Sequence, residues 1–320
     1  MSESPFTAQQ ATIDPVLYIS GPTGSGKSAV ALALAKSLGK AAIVNADAFQ
    51  LYRGYEILSA APSQRDQAEI PHHLYGVLSL TETCDAIRFA DMARTVIDDL
   101  VSRDIQPIVA GGSGLYLKAL THGLAPTPAG DAELRAQLDD LSLSELVAWY
   151  QRLDPEGAAA TNLLNRRYVT RNLEISLLSG KPASELKREF VVPEPHLRAV
   201  VLTREREDLY ERINRRTAQM FQDGVVDEIR RLEGTPLSAT AEKAIGLAEI
   251  RAFIRDETDQ DSAIERIRQS TRHYAKRQLT WFRREKAFQS VCLDASETAD
   301  SATDRILALF PELPNTAHPR

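Results

Sequence analysis

Short apolar runs alternate with amphipathic stretches along the first third of the chain. Residues 16–20 (Val-Leu-Tyr-Ile-Ser), bounded by Pro15 and Gly21, are apolar with β-branched and aromatic members and predict a buried strand. Lys27–Leu38 is rich in Ala and Leu and stops before Gly39, which predicts a helix with a glycine terminator. Residues 41–45 and 106–110 read as further buried strands. Between them, 84–102 places Ile87, Ala90, Met92, Val96, Ile97 and Leu100 near one helical face. Strands alternating with helices predict an α/β fold with a parallel sheet flanked by helices.

The rhythm changes after Gly123. Residues 125–134 are linker-like, and 131–141, 142–153 and 166–180 all read as helix with no convincing strand. Residues 123–197 are therefore expected to be an all-helical insertion dividing an α/β core into 15–122 and 198–314. Loose tails are expected at 1–14 and 315–320. Within the second core segment, 198–203 reads as strand, 205–232 as one long amphipathic helix, 261–284 as another helix and 289–293 as a last strand.

A length of 320 residues suits about two domains. The chain is 43% hydrophobic and 26% charged, which excludes collagen-like, disulfide-scaffold and wholly disordered classes. A formal net charge of -6 excludes a generally basic nucleic-acid binder, but not a local basic groove. The two cysteines, Cys84 and Cys292, match no metal or redox spacing, and a reducing cytoplasm is the expected compartment. The N-terminus lacks a basic-then-apolar signal peptide, and no apolar run approaches the ~20 residues of a membrane span.

Candidate chemistry begins at Gly21-Pro22-Thr23-Gly24-Ser25-Gly26-Lys27-Ser28, which fits G-x-x-x-x-G-K-[ST] between a predicted strand and helix. The glycines let backbone N–H groups converge on phosphate oxygens, and the helix start adds its positive dipole end. Lys27 adds a full charge, and the Ser28 hydroxyl suits Mg²⁺. Such a loop takes a di- or triphosphate with Mg²⁺, as in nucleotide- and ATP-binding proteins, without specifying which. Asp47, just past the second strand, sits where parallel sheets place their sites. Read alone, it is equally a helix cap or an acid near Mg²⁺.

Further stretches follow in order: Asn45-Ala46-Asp47-Ala48-Phe49-Gln50-Leu51-Tyr52-Arg53-Gly54, Ile70-Pro71-His72-His73-Leu74, Gly111-Gly112-Ser113-Gly114-Leu115-Tyr116, and Tyr274-Ala275-Lys276-Arg277-Gln278-Leu279-Thr280-Trp281-Phe282-Arg283. Together with the loop, they resemble the bacterial tRNA dimethylallyltransferases over about residues 16–288. The resemblance implies a P-loop NTPase-like core with an inserted helical tRNA-binding domain. It implies transfer of a dimethylallyl group from dimethylallyl diphosphate to N6 of adenine 37, beside the anticodon, with Mg²⁺ and release of diphosphate. In that family the loop holds prenyl diphosphate rather than hydrolysing ATP. A monomer acting on the anticodon stem-loop, away from membranes, is expected.

The resemblance also implies residue roles. Asp47 matches the catalytic aspartate, which takes the proton of the attacking amine. Thr23, Lys27, Ser28 and the loop amides face the leaving diphosphate. The stretch 209–216 matches one that carries a catalytic arginine, with Arg216 the first choice and Arg212 the second. The residues after the aspartate, Ala48, Phe49 and Gln50, are expected to meet the adenine, Gln50 through its amide. Ser113, Arg167, Arg171, Lys243 and Gly246 match tRNA-contacting positions. His72 and His73 have no metal-spaced neighbours and are expected to be structural or to line a substrate channel. Residues 265–286 carry eight Lys/Arg against two Glu, interleaved with Tyr274, Trp281 and Phe282. This suits RNA phosphates and stacking, with Arg268 and Arg272 expected to face solvent. The sequence departs from the family at Ala48, where Ser is usual, and at Phe49, Leu247-Ala248 and Arg167-Tyr168. These departures touch tRNA contacts, not the diphosphate chemistry.

A P-loop kinase of a small metabolite or nucleotide would share the loop and the acid, but has no use for the insertion or the basic helix. A GTP-dependent switch would need an N-K-x-D motif, and none is present.

Overall fold

Six strands form one sheet in the order β3-β2-β4-β1-β5-β6, every pair parallel. They are β1 (Leu17–Ser20), β2 (Ala41–Asn45), β3 (His72–His73), β4 (Gln106–Gly111), β5 (Arg198–Arg204) and β6 (Gln289–Leu293). The computed structural model describes residues 15–190 and 195–313, so the tails expected at 1–14 and 315–320 lie outside the described residues. The chain forms two units, Met1–Thr121 with Glu194–Arg320 and, separately, His122–Pro193.

The sheet strands are apolar because both faces are covered, as parallel sheets require. The Lys27–Leu38 helix lays Val30, Ala31, Leu34, Ala35 and Leu38 on Leu17, Ile19, Ile43, Ile108 and Val200. Ala302, Ile306 and Leu307 of a C-terminal helix, Ala299–Leu309, join the same cluster. Each buried Val, Leu or Ile among them contributes about 1.5–3 kcal/mol. That last helix and the two-residue β3 were not anticipated from the sequence. Both are short, and the helix declares itself mainly through the Thr298 cap, whose side chain accepts from Ser301 N.

Two other elements differ from expectation. The helix expected over 205–232 is two, Arg206–Gln222 and Val225–Arg230, broken at Gly224 with φ 91°. The Ala86–Ser102 helix, capped by Asp85, buries Phe89, Ala90, Ala93, Ile97 and Leu100, while Ile87 is 50% exposed. The aromatic Phe89, stacked on Tyr116, sets its inward face. The Gln260–Phe282 helix runs close to its predicted span. No helix among the described residues is long and apolar enough to cross a membrane.

The second unit holds the helices Ala132–Asp139, Leu143–Leu153, Pro155–Ala160, Arg166–Ser179 and Ala183–Glu189, with no strand among its described residues. Leu138, Leu146, Tyr150, Ala158, Val169 and Leu173 form its core. Beside them lies Glu174, its side chain 0% exposed. It accepts from Asp131 N at 2.8 Å and pairs with Arg135 and Arg171. Burial alone would push its carboxyl up. The two guanidiniums and the N–H outweigh that and hold it below the ordinary glutamate range.

Glu174→Gln keeps the shape and removes the charge. Because Arg135 and Arg171 are 52% and 35% exposed and can rehydrate, the expected loss is about 1–2 kcal/mol rather than that of a fully buried pair. A carboxyl held low stabilises the fold above its unfolded pKa, ~4.3, and loses that contribution as pH falls below it. Thermal melts should therefore show a deficit at pH 7 that is smaller at pH 3. An equal deficit at both values would mean that the charge contributes nothing.

Candidate active site

The loop Gly21–Ser28 curls between β1 and the Lys27–Leu38 helix, with Gly24 and Gly26 at φ 86° and 98°, where side-chain-bearing residues are strained. Two of its carbonyls are held by arginines. Arg212 Nε donates to Gly24 O and Arg204 Nε to Ser25 O, both at 2.9 Å. Arg204 is itself fixed by Asp208 and by Asp294 O, each at 2.8 Å. On the other side, Thr23 N donates to Gln278 Oε1 at 2.8 Å, and Gln278 Nε2 donates to Gly112 O at 2.8 Å. Gly112 has no room for a side chain, since a Cβ would lie 2.4 Å from Gln278 Nε2 and 2.7 Å from Gly21 O.

Lys27 Nζ folds back towards Pro22 O at 3.4 Å. Burial pushes its ammonium down to about 8, with Asp47 opposing that and Arg216 adding to it. Such a lysine gains from any anion that enters the loop. Ser28 is exposed on the first helical turn.

Asp47 stands just beyond the carboxyl end of β2. Asn45 fixes the turn: its Nδ2 donates to Leu74 O and Asp47 O at 2.9 and 3.0 Å, and its Oδ1 accepts Asp47 N at 2.7 Å. Asp47 Oδ1 accepts Phe49 N at 3.0 Å, and Ala48 N donates to Ser113 Oγ at 3.0 Å. The Arg206–Gln222 helix brings Arg216 to the same place, with Nη2 donating to Thr23 Oγ1 at 2.7 Å. Burial lowers the Arg216 pKa, and Asp47 opposes that shift. Arg216 Nε is buried without a bond.

Thr23, Asp47, Arg216 and Tyr274 line one cavity together with Phe49, Leu58, Met220, Ile245 and Ile267. Charged and apolar side chains lining the same cavity suit a ligand with an anionic head and a short hydrocarbon body.

The structure separates the sequence candidates. Asp47, Thr23, Lys27 and Arg216 meet in one place, with Phe49 at the cavity wall. Arg212, four residues from Arg216, spends its guanidinium on the Gly24 carbonyl and shapes the loop. Gln50 departs from expectation: its amide hydrogens go to Ser59 O and Ala60 O at 3.1 and 2.9 Å, so they brace that loop. Ser113 supports the Asp47 turn. Gly246 is buried beneath Leu58 and Ile267, and Lys243 is exposed on the Ala241–Lys243 turn.

Arg268 and Arg272 are not the solvent-facing cations expected. Both pair with Glu265 and reach Asn214, and Arg272 also lies over the Tyr210 ring. Acid and amide partners at i−3, i−7 and on the neighbouring helix draw them in. Arg171 is likewise held inside the second unit by Glu174, Thr127 and Pro128 O, whereas Arg167 is exposed. His72 Nδ1 bonds Ile70 O at 2.7 Å, and no group of three or more His, Cys, Asp or Glu among the described residues could hold a metal. Sequence reasoning missed Arg204 and Gln278. Their partners lie up to 255 positions away, and the only signal was a polar residue inside otherwise apolar or basic stretches.

Comparison with known proteins is consistent with this geometry. The IPP transferase family model matches residues 50–285, and the isopentenyl transferase model matches 15–75. A tRNA dimethylallyltransferase from Akkermansia muciniphila is 44% identical over 291 residues, covering 91% of this chain and 98% of its own length. One from Geobacter sulfurreducens is 40% identical over 284 residues, covering 86% and 91%. The crystal structure of the tRNA isopentenylpyrophosphate transferase from Bacillus halodurans has a TM-score of 0.68 at 29% identity, covering 95% of this chain and 97% of that one. A eukaryotic dimethylallyltransferase, crystallised acting on tRNA, shares the fold with a TM-score of 0.78 at 24% identity, covering 94% and 80%.

Because Arg212 acts on the loop from outside the cavity, Arg212→Gln should weaken binding of inorganic pyrophosphate about tenfold, the ~1.5 kcal/mol of a charge-assisted hydrogen bond. Titration calorimetry measures this. Unchanged affinity would mean that the loop keeps its shape without the arginine.

Proposed function

This chain belongs to the tRNA dimethylallyltransferase family, and from that premise we propose that it transfers a dimethylallyl group from dimethylallyl diphosphate to N6 of adenine 37 in tRNA, beside the anticodon. The observation that carries the reading is one cavity lined both by Thr23, Asp47 and Arg216 and by the apolar Leu58, Met220, Ile245 and Ile267. The enzyme is a prenyltransferase of tRNA modification. The loop amides, Lys27 and Arg216 bind the diphosphate, and the apolar wall receives the five-carbon chain.

In the reaction, adenine N6 attacks the first carbon of the dimethylallyl group as its C–O bond breaks. The electron pair of that bond leaves with the diphosphate. Lys27, Arg216 and the Thr23 hydroxyl offset the charge that develops there. The N6 proton passes to Asp47, which later releases it to solvent. Phe49 at the cavity wall offers a face for the adenine, which has to leave its stack to react.

Ser28 presents a hard oxygen donor beside the loop, and no cage of acidic or imidazole ligands competes with it among the described residues. That donor set fits an Mg²⁺ ion that arrives with the diphosphate, held by Ser28 and the diphosphate oxygens. When bound, the ion would supply further charge neutralisation to the leaving group. Two free thiols and a tRNA substrate support a cytoplasmic setting for this activity.

Incubating the protein with labelled dimethylallyl diphosphate and unmodified tRNA tests the reading, with ATP as the control. Label should move to tRNA. ATP hydrolysis stimulated by tRNA, without prenyl transfer, would remove it. In the same assay Asp47→Asn should lower kcat by about 10²–10⁴ with diphosphate affinity little changed. Near-normal turnover would take Asp47 out of the mechanism.

With Arg268 and Arg272 paired, RNA phosphates are left to the exposed Arg266, Lys276, Arg277, Arg283, Arg284 and Lys286. Each phosphate contact contributes roughly 0.7–0.9 to the log–log salt slope. Lys276→Gln with Arg283→Gln should weaken tRNA binding and flatten that slope by more than one, while Arg268→Gln with Arg272→Gln should mainly lower the melting temperature. The opposite pattern would place the RNA on the Arg268–Arg272 side.

A further inference from the structure

The turn at 55–60 supplies Leu58 and Ser59 to the cavity, and it is tied down from three directions. Tyr55 Oη donates to Ala241 O at 3.3 Å, and the Gln50 amide donates to Ser59 O and Ala60 O. The third tie is Glu228. Its Oε2 accepts Ile57 N and its Oε1 accepts Leu58 N, each at 2.8 Å. The break at Gly224 makes this possible, because it starts the short helix Val225–Arg230 that carries Glu228 to the turn. Glu228 is only 5% exposed. Burying a carboxylate is costly unless it is hydrogen-bonded, and here both oxygens are spent on the backbone of one cavity residue and its neighbour.

The place of Leu58 in the cavity follows from the Gln260–Phe282 helix. Gln278 bonds Thr23 N of the phosphate loop. Tyr274, Thr271 and Ile267 lie at i−4, i−7 and i−11 from it, on the same helical face, and all three line the cavity. At about 1.5 Å of rise per residue, Ile267 is roughly 16 Å along the axis from Gln278. Leu58 stands at the Ile267 end. A Cβ on Gly246 would lie 3.2 Å from Leu58 Cδ1 and 3.5 Å from Ile267 Cδ1, so both side chains close over the bare glycine backbone. The cavity thus runs from Thr23 at the loop to Leu58 and Ile267.

We propose that Leu58 sets the length of hydrocarbon the cavity takes, and that Glu228 is its positioning residue: the carboxylate fixes the 57–58 backbone so that Leu58 closes the end of the cavity away from the loop, against Gly246 and Ile267. This rests on the reading that the cavity holds a prenyl diphosphate with its head in the loop. A dimethylallyl group fits in front of Leu58. A chain one isoprene unit longer has to displace that side chain, which costs overpacking. A leucine on a loosely held turn would swing aside. The clamp on two successive N–H groups prevents this.

Geranyl diphosphate, the ten-carbon homologue, is the probe. Its transfer is the same displacement: N6 attacks the first carbon, and the diphosphate leaves with the electron pair of the C–O bond. The test measures kcat/KM for geranyl and dimethylallyl diphosphates at fixed tRNA in the wild type, Leu58→Ala, Leu58→Met and Glu228→Gln, with pyrophosphate binding and thermal melts of each. The wild type should prefer the dimethylallyl donor. Leu58→Ala should raise the geranyl-to-dimethylallyl ratio at least about tenfold, since a single methylene in an apolar pocket already discriminates about 10–200-fold. Leu58→Met conserves volume and should keep the wild-type ratio. Glu228→Gln replaces one acceptor with an amide NH₂ that cannot accept. It should raise the ratio in the same direction by less, and gives the same reading if Leu58→Ala folds poorly. Pyrophosphate affinity should stay unchanged throughout, because other residues hold the loop. A merely structural role would lower the melting temperature and both rates together, leaving the ratio in place. A ratio unmoved in both Leu58→Ala and Glu228→Gln, or a wild type that uses both donors equally, overturns the proposal while dimethylallyl transfer stands. No dimethylallyl transfer by the wild type overturns the functional reading itself, and this inference with it.

Discussion

A glycine loop can offer its N–H groups to a diphosphate only if its carbonyls are held elsewhere. In this protein two long side chains meet that constraint, Arg204 on Ser25 O and Arg212 on Gly24 O, while Gln278 ties down Thr23 from the far side. Peptide groups fixed in this way need no reorganisation when charge develops on a leaving group, which is where preorganised donors have most effect. The strand before the loop and the helix after it give only its position. Its shape comes from residues of the second half of the core.

The base is built by the same principle from a different set of contacts. Asn45 closes the turn after β2 by three hydrogen bonds, and Ser113 supports the next peptide. The approach of β4 to that turn is so close that a Cβ on Gly111 would fall 2.2 Å from the Ala46 carbonyl. Asp47 therefore sits on a turn with little freedom, at the end of a central strand. Precision of this kind is easier to achieve on strand ends than on long loops.

The parts of the site that were legible in the sequence are those whose partners are local. β1, the P-loop and its helix follow from a run of about twenty residues, and Asp47 follows from the end of β2. What was not legible depends on partners far away in the chain. Arg212 and Arg216 share one helical face, and only the seating of that helix over the loop decides which enters the cavity. Arg268 and Arg272 belong to a stretch with a strong positive excess. Counting charges could not reveal that Glu265 and Asn214 take them up. Gln50 has the right chemistry for a base edge, but two unsatisfied carbonyls at 59 and 60 claim its hydrogens first.

The strand order also bears on how the chain is made. β1 lies between β4 and β5, and β5 is translated only after the helical unit. Until then one edge of β1 carries unpaired backbone groups beside an apolar face, the condition under which nascent chains aggregate or require a chaperone. The face of the Lys27–Leu38 helix that receives Ala302 and Ile306 stays uncovered longer still. Synthesis from the N-terminus thus exposes the P-loop half of the core until β6 and the Ala299–Leu309 helix close it.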